Sequence, residues 1–479
     1  MAHHQIMGWR YLEALRDGSF LANLPGITNY YPPLYYLWEM VVLSLGARQS
    51  VALYANLPGL VLLSGCTYCL ARRWQTPVNA ASAAWLALMF PLVAWTSRET
   101  LLDVTLSGLV ALGLLVLIQS DYLQSRVTVL LFGVVGALGL LTKWTFLFFM
   151  VGPVIYLWWF SADRRRAFLN LLDAGFIVLP LTMWWYLPNL QFLVERFQAT
   201  SQAAVLEGDP SLLSLSGLLY YLRSLASYYL FLPLSVVLLL SLVWWTRPAR
   251  RTILTETGIL WVFLGTSVLI LTALRAKDPR YIMPVVPVLA VVLMQPGTES
   301  RIWSNVVIFV AALQFLYISF PLPGNPGKIA LFSIENDTDY RGMAQEWVLY
   351  ESDYFGVAGH PHCEDWKFDG IIAELQSGDH VGWAPDLPYF HPGALHLLGL
   401  QSGKRLEALR VGNEPIGEEQ LESFDWVVGK GGNQGISYIT SYNREVYRLI
   451  EESEWPLIAS WELPDGSQAW LWRNPTRSP

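Results

Sequence analysis

Arginine clusters cut this chain into long apolar runs at near-regular intervals, and that punctuation constrains its fold more than any other feature. The clusters are Arg72-Arg73, Arg126, Arg164-Arg165-Arg166, Arg247/Arg250/Arg251 and Arg301. Between successive clusters the apolar run is interrupted once, and each interruption carries polar or ionisable groups. These are Arg98, Glu99 and Asp103; Lys143; the stretch 188–218; and Lys277, Asp278 and Arg280. Basic loops of polytopic membrane proteins stay on the cytoplasmic side. If the arginine clusters share that side, every other charged turn gathers on the opposite face.

Composition points the same way. Only 14% of the 479 residues are charged and 53% are hydrophobic, whereas a soluble domain carries about 25% charged residues. The 22 Trp and 23 Tyr suit interfacial belts, where a ring is half apolar and half wet. A net charge of −7 gives no reason to expect a nucleic-acid partner. Cys66 and Cys69 form a C-x-x-C inside an apolar helix and read as small packing residues, not as a redox pair; Cys363 has no evident partner.

A hydrocarbon core about 30 Å thick asks for about 20 helical residues. Apolar helices are expected near 48–71, 79–95, 102–119, 127–142, 144–160, 167–187, 219–245, 254–273, 281–297 and 303–320. Residues 127–160 as one helix would run about 50 Å, too long for a single crossing. Lys143 therefore belongs to an outer turn or to a break in a re-entrant pair. The stretch 32–46 is not counted as an eleventh span, because that would invert the arginine clusters. Its Tyr30, Tyr31, Tyr35, Tyr36 and Trp38 around Pro32-Pro33 suit a helix lying in the outer interface. Three regions follow: an outer juxtamembrane segment 1–47, a membrane domain 48–324 and an extracytoplasmic α/β domain 325–479. In the last, DHVGWA, DWVVGK, PLIASWEL and QAWLWR alternate like strands and YNREVYRLIEESE like a helix. An outer N-terminus needs something to carry it across, so a further transmembrane helix is expected upstream of Met1, within about 30–60 residues.

The ionisable groups of three hairpins converge on one face: Arg98, Glu99, Asp103, Lys143, Arg275, Lys277 and Arg280. Glu99 and Asp103 are four residues apart and can share a helical face, which suits general-base work or a divalent metal, with Asp103 as a candidate ligand. A plain pair with Arg98 is the simpler alternative. Lys143, flanked by apolar residues, would gain an acceptor from a lipid phosphate, or else snorkel to the surface. Arg275, Lys277 and Arg280 crowd a turn shaped by Pro279 and Pro284, with Asp278 offsetting one cation; arginine pairs with phosphate as a planar fork. His360, His362, Cys363, Glu364 and Asp365 form a metal-capable run with no defined geometry, read as a solvated loop, and His3, His4 and Glu13 give no clearer signal.

Four segments in order, YYPPLYY, SRETLLD, GALGLLTKWTF and AKDPRYIMPVVP, resemble the family 39-type membrane glycosyltransferases. That group includes protein O-mannosyltransferases and aminoarabinose transferases. The resemblance covers about residues 1–320. It implies the C-type glycosyltransferase fold, a polyprenyl-phosphate sugar as donor and reaction on the outer face of a bacterial-type plasma membrane. It also implies Asp103 as the acid opening a span, Lys143 as the turn lysine, and Lys277 with Arg280-Tyr281 as the late basic turn. The family's acidic residue after its first span has no counterpart here, since the opening MAHHQIMGWRYLEALRDG looks like the sequence that follows it. The reading is thus an inverting glycosyltransferase. Asp103 and Glu99 are its catalytic candidates, and Lys143, Lys277, Arg280, Tyr281 and Arg98 its donor-phosphate ligands. The acceptor is undefined, and no cofactor is assigned beyond a candidate divalent metal. A polytopic transporter or lipid flippase with an extracytoplasmic domain is the alternative.

Overall fold

The computed structural model describes residues 2–46, 49–206, 208–246, 257–298, 300–320, 323–324, 327–338, 344–351, 364–435 and 439–477. The arginines at 247, 250 and 251 and the trio His360, His362 and Cys363 lie outside these. The chain forms two compact units, Met7–His360 and Met1–Ile6 with Pro361–Pro479.

The first unit is helical. Helix α1 is Ala2–Arg16, and α2 (Leu34–Leu45) follows the Pro32-Pro33 break. Then come α3 (Leu57–Ala71), α4 (Pro77–Met89), α5 (Pro91–Thr96), α6 (Leu102–Ile118), α7 (Arg126–Thr142), α8 (Phe146–Trp159) and α9 (Arg164–Leu206). A further series is α10 (Leu215–Ser224), a π-helical segment Leu225–Leu230, α11 (Phe231–Trp245), α12 (Gly258–Thr272), a 3-10 turn Pro279–Val285, α13 (Val286–Met294) and α14 (Arg301–Ser319). Where described, each of the ten expected apolar stretches is mostly helical. Among the described residues, five stretches are long and apolar enough to cross a membrane, and six helices are apolar but shorter, α2 among them.

Local sequence explains the boundaries. Thr76 caps α4 by accepting from the Asn79 N–H, and Pro77 fills the first helical position, where its missing donor costs nothing. The expected helix 79–95 is broken at Phe90, whose ψ of 132° is the extended conformation imposed on a residue before proline. The largest departure is α9. The sequence reading ends it at 187, but it runs unbroken for 43 residues through Pro180 and Pro188, about 64 Å at 1.5 Å per residue. A proline removes one backbone hydrogen bond and need not end a helix. Beyond Pro188, Gln191 donates to Glu195 at 2.9 Å, one turn along.

Packing is closest where α3 crosses α6. A Cβ on Gly108 would lie 2.7 Å from the Gly59 carbonyl, and one on Gly59 would lie 2.7 Å from the Thr105 Cα. Only hydrogen at both sites lets the two backbones meet, a common device between membrane helices. Helix α13 is wholly buried. Its last carbonyls are taken by Gln75 Nε2 on Val291, Ser241 Oγ on Val292 and Trp303 Nε1 on Leu293, each at 2.8 Å, as buried polar groups require.

Strands β1 (Lys328–Thr338) and β2 (Ala344–Glu351) form an antiparallel pair. Tyr350 donates to the Tyr317 carbonyl at 3.0 Å and meets the Phe231 ring edge-on. The pair therefore packs with the helices, and the compact C-terminal body starts near residue 361, later than the boundary of 325 drawn from composition.

That body holds a five-stranded sheet in the order β4-β3-β5-β7-β6, built from β3 (His380–Trp383), β4 (Glu407–Arg410), β5 (Trp426–Lys430), β6 (Leu457–Glu462) and β7 (Gln468–Arg473). β3 pairs in parallel with β4 and β5, and β7 pairs antiparallel with β5 and β6. Helices α15 (Phe368–Glu374), α16 (Pro392–Gln401) and α17 (Asn443–Glu452) accompany it. The four segments read as strands are β3, β5, β6 and β7, and the amphipathic run is α17.

Candidate functional site

Two apolar helices meet at a buried ion pair. Asp103 lies in the first turn of α6, and Lys143 is the residue on which α7 ends. Lys143 Nζ donates to Asp103 Oδ1 at 2.8 Å, with the two side chains only 7% and 6% exposed. The ring centroid of Tyr281 lies 5.1 Å from the ammonium and that of Tyr31 5.7 Å, both within cation–π range. A buried ammonium is thus held by one carboxylate and two π faces.

The turn carrying Tyr281 is shaped by its own acid. Asp278 accepts from the Arg280 backbone N–H at 2.7 Å and from its guanidinium at 2.5–3.1 Å. Burial alone would raise the Asp278 carboxyl, but Arg280, with Lys143 nearby, holds it below the usual carboxylate range. Tyr229 fixes the same turn by donating to the Pro279 carbonyl at 2.8 Å.

Tyr30 and Tyr31 reach the site because segment 25–31 is pinned to α9. Trp185 Nε1 donates to the Thr28 carbonyl at 3.0 Å, Asn189 Nδ2 to the Pro25 carbonyl at 2.8 Å, and the Arg196 guanidinium lies 5.5 Å from the Tyr30 ring. Beside the ion pair opens a cavity of about 520 Å³. Lys143, Tyr31, Tyr281 and Arg275 line it together with an apolar wall of Leu190, Leu193, Val194 and Phe197 from α9. Trp144 closes onto that wall edge-to-face with Phe197 at 6.1 Å. The cavity combines cations with a long apolar surface.

The other nominated residues divide. Lys277 Nζ donates to the Thr272 carbonyl at 2.6 Å and the Leu271 carbonyl at 3.4 Å, over the Tyr221 ring, and burial pushes its ammonium down to about 8. It closes the C-terminus of α12, and its own N–H is held by Asp209 at 2.7 Å. Arg98 reaches the end of α14, donating to the Ile318 carbonyl at 3.0 Å and to Ser319 Oγ. Glu99 is buried. Its carbonyl accepts from Asn56 Nδ2 at 2.5 Å, and burial pushes its carboxyl up while Arg280 pulls the other way.

The partner of Asp103 is therefore the Lys143 ammonium. Among the described residues no group of three or more His, Cys, Asp or Glu side chains comes together. Sequence reasoning missed the wall on α9. Its signal was present in the i, i+3, i+4, i+7 spacing of Leu190, Leu193, Val194 and Phe197, the mark of a one-sided helix.

No family model matches the chain. An uncharacterized protein of Aquifex aeolicus (strain VF5) is 24% identical over 294 residues, or 61% of this chain. The match takes in 56% of that relative, so the chain spans about half of its length. Among solved structures, apo ArnT from Cupriavidus metallidurans superposes with a TM-score of 0.61 at 14% identity, over 99% of this chain and 94% of that one. The same protein bound to undecaprenyl phosphate gives 0.56 at 13% identity, over 94% and 89%. At such identities the likeness is one of fold, and the chain is a polytopic helical membrane protein of the C-type glycosyltransferase fold with a C-terminal α/β domain.

Proposed function

We propose that the protein transfers a sugar from a polyprenyl-phosphate donor to an acceptor on the outer face of the membrane, with inversion at the anomeric carbon. The observation that carries this reading is the Lys143–Asp103 pair at the head of a cavity walled by apolar side chains of α9. A phosphorylated isoprenoid has that shape in chemical terms, one anion on a long hydrocarbon. The solved neighbour crystallised with undecaprenyl phosphate supports the same class of ligand.

In this mechanism the donor phosphate enters beside Lys143 and competes with Asp103 for the ammonium. Arg275 supplies a second cation at the cavity edge. The bond between the anomeric carbon and the phosphate oxygen breaks, the acceptor oxygen bonds to that carbon, and the electron pair leaves with the lipid phosphate. Lys143 stabilises the charge that develops there, an effect strongest in a dry site. Displaced from Lys143, Asp103 is free to take the acceptor's proton, with Glu99 as the neighbouring carboxylate. The arginine clusters then face the cytoplasm, and the site and the C-terminal domain face away from it.

The test uses the purified full chain in lipid nanodiscs with a polyprenyl-phosphate donor carrying radiolabelled sugar. Release of label from the lipid by the wild type, and its loss in Lys143→Ala, is the expected result. Lipid movement between leaflets without sugar release would place the protein among translocators and overturn the reading.

A further inference from the structure

The far end of α6 carries a second cavity, of about 580 Å³, with a different character. Helix α6 begins at the ion pair and is 17 residues long, so its two ends are about 25 Å apart. At the Arg-rich end the cavity is lined by Arg73 and Trp74 after α3, Asp121 and Tyr122 after α6, and Tyr156 near the end of α8. Leu157 and Ile259 give it an apolar flank.

The backbone holds this arrangement against its own preference. Asp121, Tyr122 and Leu123 have φ of 50°, 51° and 67°, three consecutive non-glycine residues in the left-handed region, each costing about 1 kcal/mol or more. The turn persists because it is tied on both sides. The Leu123 side chain is fully buried, its N–H donates to Ser120 Oγ at 3.0 Å, and Asn170 Nδ2 of α9 donates to its carbonyl at 2.8 Å. Burying Leu123 this way leaves Asp121 and Tyr122 facing the cavity.

Among the described residues neither Arg73 nor Asp121 forms an ion pair; Arg73 lies 6.0 Å from the Trp74 ring. The ligand complementary to this site has an anion for Arg73 and a cation for Asp121 and the rings of Trp74, Tyr122 and Tyr156. Aromatic faces beside a carboxylate favour an organic ammonium. The carboxyl ends of α3, α6 and α8 lie at the same rim, and their partial negative charge adds to that preference. The apolar flank suits an acyl chain leaving the headgroup.

We propose that this cavity binds the headgroup of a zwitterionic phospholipid, a phosphate on Arg73 with its ammonium against Asp121 and the three rings, from the leaflet at the Arg-rich rim. The inference does not depend on the sugar-transfer reading. The experiment is native mass spectrometry of the full chain, released from detergent after equilibration with equimolar phosphatidylethanolamine and phosphatidylglycerol. The wild type should retain the ethanolamine lipid in about fivefold excess. Asp121→Asn should reduce that excess to near parity, and Arg73→Gln should lower retention of both lipids. Both residues are exposed, so unchanged melting temperatures without lipid will show that the variants fold. Equal retention of the two lipids by the wild type, or a preference unmoved in both variants, would overturn the proposal. So would displacement of the lipid by an equal concentration of soluble glycerophosphoethanolamine, which would make the site one for a free headgroup.

Discussion

Two carboxylate–cation pairs sit at the same rim and differ in almost every respect. Asp278 and Arg280 are two residues apart and joined by a fork of three contacts between side chains, with the side chains 20% and 32% exposed. Asp103 and Lys143 are 40 residues apart, joined by one contact, and nearly sealed from solvent. The local pair cannot open without unmaking the turn that carries Tyr281. The distant pair rests on a single hydrogen bond between two helix ends, beside a cavity, so a competing anion can displace it without remodelling either helix. One pair shapes the turn, and the other is the one the proposed mechanism puts to work.

The sharpest way to break this contrast is Lys143→Ala. Sugar transfer should fall by about 10²–10³-fold, the usual loss for one donor aimed at developing charge, measured as label released from the donor lipid. Asp103→Asn comes next. It leaves a buried ammonium without its counter-charge, and unfolding in detergent should become easier by about 3–5 kcal/mol. The double variant Asp103→Leu with Lys143→Met removes both charges and should recover most of that stability while staying inactive, which separates the pair's chemical role from its structural one. Arg280→Lys replaces a fork by a point charge. A smaller effect is expected, a loss of about 1–2 kcal/mol from weakened charge-assisted bonds, with KM for the donor changing more than kcat. A kcat loss matching that of Lys143→Ala would show that Arg280 acts on the phosphate directly.

The least of the expected effects is a pH dependence from Lys277. Burial moves its ammonium from 10.5 to about 8 in the folded chain. Between those values the unfolded chain binds a proton that the folded chain does not, so this group's contribution to stability rises with pH across the window. The melting temperature should climb slightly from pH 8 to 10 in the wild type relative to Lys277→Met. A fall relative to that variant would contradict the assignment.

The turn at Lys143 was legible in the sequence because chain length decides it: residues 127–160 are too many for one crossing. The strands of the C-terminal domain were legible as short apolar runs rich in Val, Ile and Trp, and its amphipathic helix through an uninterrupted period of 3.6. The fate of each cation was not. Arg98 and Lys277 have the composition and spacing of phosphate ligands, yet both donate to carbonyls at the ends of helices α14 and α12, and spacing holds no information about which distant carbonyls need donors. The reach of α9 was hidden by Pro188, which reads as a stop when the helical pattern beyond it is ignored.

That same proline has a mechanical meaning. Pro188 removes one hydrogen bond from the rod just before Leu190, Leu193, Val194 and Phe197, so the wall of the cavity hangs from a weakened joint in a long helix. From Pro188 to Ser201 the arm is about 20 Å long, and a tilt of about 10° at the joint would move its tip by about 3 Å. On the proposed reading, entry of a bulky isoprenoid is governed by the bending of one beam and not by the folding back of a loop.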